Sequence, residues 1–262
     1  MLLKRHLVLL FFLLGTISSL GYAPISLFLL TVLSYSYSIS LITKTNTKNS
    51  AFLLGFLFGL GHHTFSLYWI AISFELGNVG GYVVGGVAVV LLSAFLSLFT
   101  ALAFYLIRTL NIKLGLIYYA ISIVFILSCL DWIKGNILWS FPWLPISAIW
   151  SFSEITLFPF SFLGTWGYSL ITYALITGVF LLNIKIKYSL LLVCPFVFVV
   201  SLYFFEKKPI SHSDKQLNIR LVQPNISQKE KWNSENQDKN FNELMSLSRK
   251  KGIKEIDLII WP

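Results

Sequence analysis

Two adjacent histidines lie near the middle of a long apolar segment, GFLFGLGHHTFSLYWIAIS, over residues 55–73. Ionisable side chains inside an apolar membrane segment are candidates for function, and His62 and His63 could form a proton relay or bind haem. Alternatively, the two histidines have only a structural role, because a neutral imidazole can hydrogen-bond to the carbonyl of a neighbouring helix. Adjacent helical residues point about 100° apart, so the two rings are not expected to act together on one face.

The only two thiols, Cys129 and Cys194, lie in separate apolar segments with no acid–base partner directly adjacent in the sequence. A cysteine in apolar surroundings behaves as a small hydrophobic residue with a raised pKa, so we do not expect a nucleophile. Two isolated cysteines also provide neither a disulfide framework nor metal-ligand spacing. We predict no metal site and no cofactor.

A third candidate is the aromatic-rich stretch LDWIKGNILWSFPWLPISAIW, residues 130–150. It is too polar and too often interrupted by proline to cross a bilayer. Tryptophan and tyrosine commonly anchor proteins at the membrane interface, which would explain this composition without a function. The functional alternative is a half-inserted platform, including Phe141 and Trp143, where an acyl chain leaves the bilayer.

The elements that would position these residues follow from composition. Hydrophobic residues make up 56% of the 262, charged residues 12%, and the mean hydropathy is +0.76, which indicates an integral membrane protein. We predict seven transmembrane helices, each near the roughly 20 residues that cross a bilayer. They cover residues 7–21, 25–42, 51–74, 79–107, 114–130, 160–182 and 188–205. The first is short and follows Lys4, Arg5 and His6, so a signal peptide is the alternative.

The net charge of +9 does not by itself indicate nucleic acid. One set of predicted helix ends holds cations and no acids: Lys4, Arg5, Lys44, Lys48, Arg108, Lys113, Lys185 and Lys187. The alternate set holds Glu75, Asp131, Lys134 and Glu154. This asymmetry predicts a cytoplasmic N-terminus and a tail on the periplasmic side of a bacterial inner membrane. No basic stripe interleaved with aromatic residues is present, so we expect no nucleic-acid partner.

The tail, residues 206–262, has the composition of a solvated domain. Leu217, Ile219 and Leu221 alternate as in a strand, and DLIIW, residues 257–261, predicts a second strand. Between them, Phe241, Leu244, Met245 and Ser248 keep helical spacing up to the helix stop at Gly252. One strand–helix–strand unit leaves sheet edges unpaired and one face uncovered. We therefore expect the first part of a larger α/β domain, completed by further sequence or by a second chain.

Several of these segments resemble the bacterial apolipoprotein N-acyltransferase family. SFPWL, residues 140–144, resembles the family's GFPWL, and DWIKG, residues 131–135, resembles its E-[FW]-L-R-G. LVQPNISQKEKW, residues 221–232, resembles V-Q-G-[DN]-I-P-Q-x-x-K-W, and DLIIWP resembles [LI]-[IV]-[IV]-W-P-E. LGYAPIS and GFLFGLGHHTFSLYWIAIS resemble the family's first hairpin and third span. The resemblance covers essentially the whole chain.

The resemblance implies a membrane bundle over residues 1–205, with an interfacial segment at 131–159. It also implies that residues 206–262 begin a periplasmic nitrilase-like domain, an α-β-β-α sandwich of the carbon–nitrogen hydrolase type. In the family a Glu-Lys-Cys triad performs the chemistry, and it would lie beyond Pro262, so no catalytic residue is assigned here. Trp232, Trp143 and Phe141 are the expected substrate-binding residues.

The reaction implied by the resemblance is acyl transfer from a phospholipid to the N-terminal diacylglyceryl-cysteine of a lipoprotein. Its partners would be the phospholipid donor, the diacylated lipoprotein acceptor and membrane lipids. Because the triad is expected beyond Pro262, residues 1–262 alone are predicted to be inactive. The alternative function is a catalytically dead remnant or a non-enzymatic multi-span membrane protein.

Overall fold

The computed structural model describes residues 5–77, 79–110, 115–136, 142–205, 217–231 and 233–262, with only the backbone described for residues 228 and 229. The chain divides into two compact units. The first comprises Met1–Ile70 and Gly86–Glu206, and the second comprises Ala71–Gly85 and Lys207–Pro262. The first unit is a helical bundle, and the tail in the second unit holds the only described sheet.

Nine helices precede the tail among the described residues. They are α1 (Arg5–Ser19), α2 (Phe28–Ile42), α3 (Lys48–Ser66), α4 (Trp69–Leu76), α5 (Gly81–Thr109), α6 (Leu116–Asn136), α7 (Glu154–Leu157), α8 (Phe160–Leu181) and α9 (Ile186–Ser201). Short 3₁₀ helices cover Ile146–Trp150 and Leu202–Phe205. The connections hold the glycines, prolines and charges that bounded the predicted spans.

Four helical segments in the described part of the chain are long and apolar enough to cross a membrane: α5, α6, α8, and α9 with its 3₁₀ extension. A fifth is formed if the bent pair α3 and α4 is one span. Helices α1 and α2 coincide with predicted spans but have 15 residues each, about 22 Å of helix against a hydrocarbon core of about 30 Å. The multi-span helical class is confirmed, whereas the number seven stays a prediction.

Glycines allow close helix packing inside the bundle. A Cβ added at Gly15 of α1 would collide with the Phe58 carbonyl of α3, and one at Gly61 with the Phe12 carbonyl. A Cβ at Gly59 would lie 2.9 Å from the Ser97 Cα of α5. Missing side chains at these crossings let backbones approach, which is how transmembrane helices gain packing energy in the absence of water.

The tail contains the predicted strand–helix–strand order. Strand β1 (Ile219–Leu221) pairs in parallel with β2 (Leu258–Ile260), with Arg220 opposite Ile259. Between them lie α10 (Gln228–Lys231) and α11 (Gln237–Ser248). Parallel neighbours need a crossover connection, and α11 is that connection. The spacing that predicted this helix from Phe241 to Ser248 is therefore confirmed.

Candidate functional site

Of the three predicted substrate-binding residues, the structure describes one. Phe141 and Trp232 lie outside the described residues. Trp143 is 47% exposed, and its indole packs on that of Trp69, with ring centroids 4.9 Å apart. Trp69 begins α4, so the predicted platform meets a second tryptophan that the sequence analysis did not single out.

Trp69 lines a cleft of about 750 Å³ at the end of the bundle where α1 ends and α2 begins, and Trp143 contacts this lining residue from outside the lining. Its lining is Thr16, Ser19, Leu20, Tyr22, Ala23, Pro24, Ile25, Phe65, Ser66, Tyr68, Trp69, Leu144, Ala148 and Ser151. Most of the lining is aliphatic or aromatic, and the polar groups are hydroxyls rather than charges. Such a surface suits a hydrocarbon chain that carries a few polar atoms.

The turn between α1 and α2 forms one wall of the cleft. The Thr31 hydroxyl donates to the Ser18 carbonyl at 2.6 Å, which ties the start of α2 to the end of α1. The buried Tyr22 hydroxyl donates to the Pro145 carbonyl at 3.4 Å, and so joins this turn to the opposite wall. Burial, with smaller contributions from Tyr35 and Asp131, raises the pKa of Tyr22 well above its usual range, so the phenol keeps its proton.

A buried ion pair holds the opposite wall. Asp131 and Lys134, three residues apart on α6, are 5% and 8% exposed, and their side chains meet at 2.7 Å. The second Asp131 oxygen accepts the backbone N–H of Ile146 at 3.1 Å, and the Lys134 ammonium donates to the Leu144 carbonyl at 3.2 Å. The pair therefore fixes the backbone directly after Trp143.

The 3₁₀ helix Ile146–Trp150 continues this wall and is anchored in the bundle. Trp150 is fully buried, and its indole N–H donates to the Thr172 hydroxyl of α8 at 2.9 Å. The Ser147 hydroxyl donates to the Thr165 carbonyl at 3.0 Å. Among its described residues, the proline-rich stretch predicted to lie at the interface thus has two exposed indoles, Trp132 and Trp143, and one buried indole, Trp150.

The histidine pair does not border the cleft. The His62 Nδ1 lies 2.6 Å from the Ser18 hydroxyl, and the His63 Nδ1 lies 2.8 Å from the Gly59 carbonyl. Both rings are buried, with centroids 5.1 Å apart at an angle of 89°. They therefore make separate hydrogen bonds in different directions, as the angle between adjacent helical residues requires.

The cysteines are separated from these groups. Cys129 is half-buried on α6 and Cys194 is exposed on α9. Within the described ranges, no group of three or more His, Cys, Asp and Glu side chains could hold a metal ion. The described cleft lining contains no carboxylate, imidazole, amine or thiol, so the cleft has the character of a binding surface.

Sequence reasoning missed the ion pair and Trp69 as parts of this site. A signal for the pair was present, because opposite charges three residues apart face each other on a helix and an unpaired charge at the end of an apolar span is costly. Trp69 had no comparable signal. Its role depends on where α3 ends, and Leu67 and Tyr68 at the break are not helix-breaking residues.

Comparison with known proteins gives consistent results. Residues 14–177 match the sequence model of the apolipoprotein N-acyltransferase N-terminal domain. The chain is 29% identical over 260 residues to the apolipoprotein N-acyltransferase of Rickettsia typhi, covering 95% of this chain and 50% of that protein. It is 29% identical over 262 residues to that of Rickettsia prowazekii, with the same coverage, and to that of Shewanella oneidensis, covering 96% and 48%. The chain spans about half the length of these relatives.

Proposed function

Because the chain belongs to the apolipoprotein N-acyltransferase family, we propose that it is the membrane part of an enzyme that transfers a fatty acyl chain from a phospholipid to a lipoprotein. The acceptor is the α-amino group of the N-terminal diacylglyceryl-cysteine. The observation that carries this proposal is the family match over residues 14–177, a range that includes all of the described lining residues of the cleft. The relatives' shared name supports the acyltransferase class.

The cleft has the properties that an acyl donor requires. Its lining is largely apolar, so moving a fatty acyl chain from the hydrocarbon core into the cleft costs little transfer free energy. Its hydroxyls and the exposed Trp143 indole can contact the ester and glycerol region of the lipid, because tryptophan favours the headgroup level. We assign the cleft to the phospholipid, with Trp143, Trp69 and Phe141 along the route and Trp232 at the entrance to the reaction centre.

The chemistry is two successive acyl transfers. The base takes the thiol proton, and the thiolate attacks the ester carbonyl of the phospholipid. The C–O bond breaks as the thioester forms, and the leaving lysophospholipid alkoxide takes the proton back from the base. The α-amine then attacks the thioester, the C–S bond breaks as the amide forms, and the base passes the proton lost by the amine to the leaving thiolate, which regenerates the thiol. A carboxylate base and a cation at the developing oxyanion lower both barriers. The resemblance assigns none of these three groups to residues 1–262.

The membrane arrangement is part of the same proposal. We propose seven crossings, with residues 1–205 as the bundle, an inner-membrane location and a cytoplasmic N-terminus. The concentration of Arg5, Lys44, Arg108 and Lys185 at one set of helix ends supports this orientation. The parallel β1 and β2 with their crossover helix support a periplasmic nitrilase-like domain beginning near residue 206.

The activity test uses the full-length gene product in cells depleted of their own enzyme. Trp143→Ala and Trp69→Ala should each lower the fraction of a reporter lipoprotein that carries a third acyl chain, measured by mass spectrometry. The matched control is Trp132→Ala on α6, which removes an exposed indole that neither lines the cleft nor has a described contact with Trp69. Equal losses in all three variants, or losses that follow protein abundance, would refute a lipid role for the cleft.

The orientation is tested separately with a reporter that is active only outside the cytoplasm. Fusion after Glu206 should give activity, and fusion at Lys113 should give none. The opposite pattern would refute the proposed orientation while leaving the family membership intact.

A further inference from the structure

A second, much smaller cavity lies between α2, α3, α5, α6 and α8 and shares no lining residue with the cleft. It has a volume of about 30 Å³. The polar members of its lining are Tyr35, His63, Thr100, Asp131, Lys134 and Tyr173. All except Thr100 are less than one-tenth exposed. So many hydrogen-bonding groups around one cavity are unusual in an apolar helical bundle, where each buried polar group needs a partner.

The hydrogen-bond capacity of the ion pair is not filled by its described partners. A lysine ammonium has three N–H donors. Among the described residues, Lys134 donates to Asp131 at 2.7 Å and to the Leu144 carbonyl at 3.2 Å. Two of its three donors are thereby used, and Lys134 is one of the residues that line the cavity. One strong donor remains to be satisfied beside the cavity.

His63 supplies a matching acceptor. Its Nδ1 lies 2.8 Å from the Gly59 carbonyl, which can only accept, so this nitrogen carries the proton. In the neutral ring the lone pair is then on Nε2. His63 also lines the cavity, together with the phenols of Tyr35 and Tyr173. An acceptor, a donor and two hydroxyl groups thus surround the same small space.

The volume matches water. One buried water needs about 10–15 Å³ of such space and typically makes about three hydrogen bonds. We propose that this cavity is a binding site for one or two ordered water molecules that connect His63 on α3 with Lys134 and Asp131 on α6. The Tyr35 hydroxyl on α2 and the Tyr173 hydroxyl on α8, which also hydrogen-bonds to Asp131 and can still accept a hydrogen bond, complete the coordination. The cavity is too small for a lipid, and the Lys134 charge disfavours a metal cation.

The site would have a structural consequence for the cleft. Asp131 and Lys134 hold the backbone at Leu144 and Ile146, directly after Trp143. A water molecule that accepts the remaining Lys134 hydrogen bond would lower the desolvation free energy of burying this ion pair. The hydrated site therefore links the histidine of α3 to the segment that forms one wall of the cleft, and its existence does not depend on the proposed acyl transfer.

The test is hydroxyl-radical labelling of the full-length protein in lipid nanodiscs, with X-ray radiolysis and residue-level mass spectrometry. Radiolysis of a bound water labels side chains that touch it, even where bulk water has no access. Tyr35 and Tyr173 should be labelled severalfold faster than Tyr168, which is 0% exposed and does not line the cavity. Labelling of Tyr35 and Tyr173 at the slow rate of Tyr168 would overturn the proposal.

A cavity-filling variant adds a second comparison. Ala103 lines the cavity, so Ala103→Leu should displace the water and reduce Tyr35 and Tyr173 labelling to the rate of Tyr168. The matched control is Ala120→Leu, an equal enlargement at a buried α6 position away from the cavity, which should leave labelling unchanged. Unchanged labelling in a folded Ala103→Leu protein would also overturn the proposal. If that variant fails to fold, the wild-type comparison remains decisive.

Discussion

The bundle and the tail place polar and apolar side chains in opposite ways. In the bundle, Asp131, Lys134 and His63 are buried, whereas Phe125 and Leu191 are well exposed. In the tail, the strand residues Leu221 and Leu258 are exposed, and Val222 is the only buried apolar side chain among its described residues. A lipid-facing surface accepts exposed apolar residues and requires polar groups to be satisfied internally.

Exposed apolar side chains in a water-facing domain have a different explanation from those on a lipid-facing surface. The exposed apolar strand residues of the tail are a sheet face that further structure normally covers. We therefore expect the bundle to be sensitive to the loss of internal polar partners and close packing. The tail should depend on a few local hydrogen bonds. Substitutions of matched chemistry in the two regions can test this difference.

The largest effect is expected at the buried ion pair. Asp131→Ala leaves the Lys134 ammonium, 8% exposed, without its carboxylate, and breaking a buried pair in this way costs about 3–5 kcal/mol. The amount of folded protein in detergent should fall, as measured by thermal unfolding monitored by size-exclusion chromatography.

The double variant Asp131→Leu with Lys134→Met is the matched control, because it removes both charges and keeps apolar volume. It should recover much of the lost stability. If the double variant is no more stable than Asp131→Ala, the uncompensated charge is not the cause, and the contrast between the two regions loses its main support.

Close packing in the bundle gives the next effect. Gly59→Ala places a Cβ 2.9 Å from the Ser97 Cα, so the backbones of α3 and α5 must separate, at a cost of about 1–3 kcal/mol. Gly86→Ala is the control, since an added Cβ there meets no atom within 4 Å and alanine is the better helix former. In thermal unfolding, Gly59→Ala should have a lower midpoint temperature than the wild type, and Gly86→Ala should not. Equal stability would show that α3 and α5 are not in such close contact.

In the tail, one arginine provides most of the described polar connections between β1 and the end of α11. Nη1 of Arg220 donates to the carbonyls of Ser248 and Lys250 at 2.7 and 2.9 Å, and Nη2 donates to that of Lys251 at 2.8 Å. Arg220→Met removes these bonds and keeps the aliphatic stem. A loss of about 1–2 kcal/mol is expected for a partly exposed site that also interacts with the helix dipole.

Hydrogen exchange at the Val222 amide measures this loss, because that N–H donates to the Ile260 carbonyl at 3.0 Å and reports on the β1–β2 pair. Exchange should accelerate roughly 5- to 30-fold. Arg249→Met, at an exposed arginine beside the same helix end, is the control and should change little. Similar acceleration in both variants would indicate a general charge effect.

Much of this architecture could be predicted because its signals are local. The span predicted over residues 79–107 corresponds to α5 at Gly81–Thr109, and the period of Phe241, Leu244 and Ser248 located α11. Continuous apolar runs and a helical period do not depend on distant parts of the chain. The strand–helix–strand order of the tail follows for the same reason.

The remaining features depend on tertiary contacts. Helix α6 continues to Asn136, beyond the predicted end at residue 130, because Asp131 and Lys134 neutralise each other and bond to the backbone at Leu144 and Ile146. The pairing of Trp143 with Trp69 likewise joins residues far apart in the sequence. Local patterns located the aromatic segment, but they could not indicate which of its residues would pack on Trp69.

The smallest effect is expected for a single neutral hydrogen bond in the tail. The Trp261 indole N–H donates to the Ser248 hydroxyl at 2.8 Å, and the indole packs edge-on against Phe241 with centroids 6.0 Å apart. Trp261→Phe keeps an aromatic ring against Phe241 and removes the donor, so a loss of about 0.5–1.5 kcal/mol is expected.

A double-mutant cycle with Ser248→Ala tests whether this bond is the cause. Ser248→Ala also removes the hydrogen bond from the Ser248 hydroxyl to the Leu244 carbonyl at 2.7 Å. That loss is the same in the Ser248→Ala and the double variant, so it cancels when the two are compared. If the Trp261 bond stabilises the tail, Trp261→Phe should cost less in the Ser248→Ala background than in the wild type, measured by exchange at the Val222 amide. Equal costs in the two backgrounds would assign the effect to lost indole packing. The tail would then depend on apolar contacts as the bundle does, and the difference between the two regions would narrow.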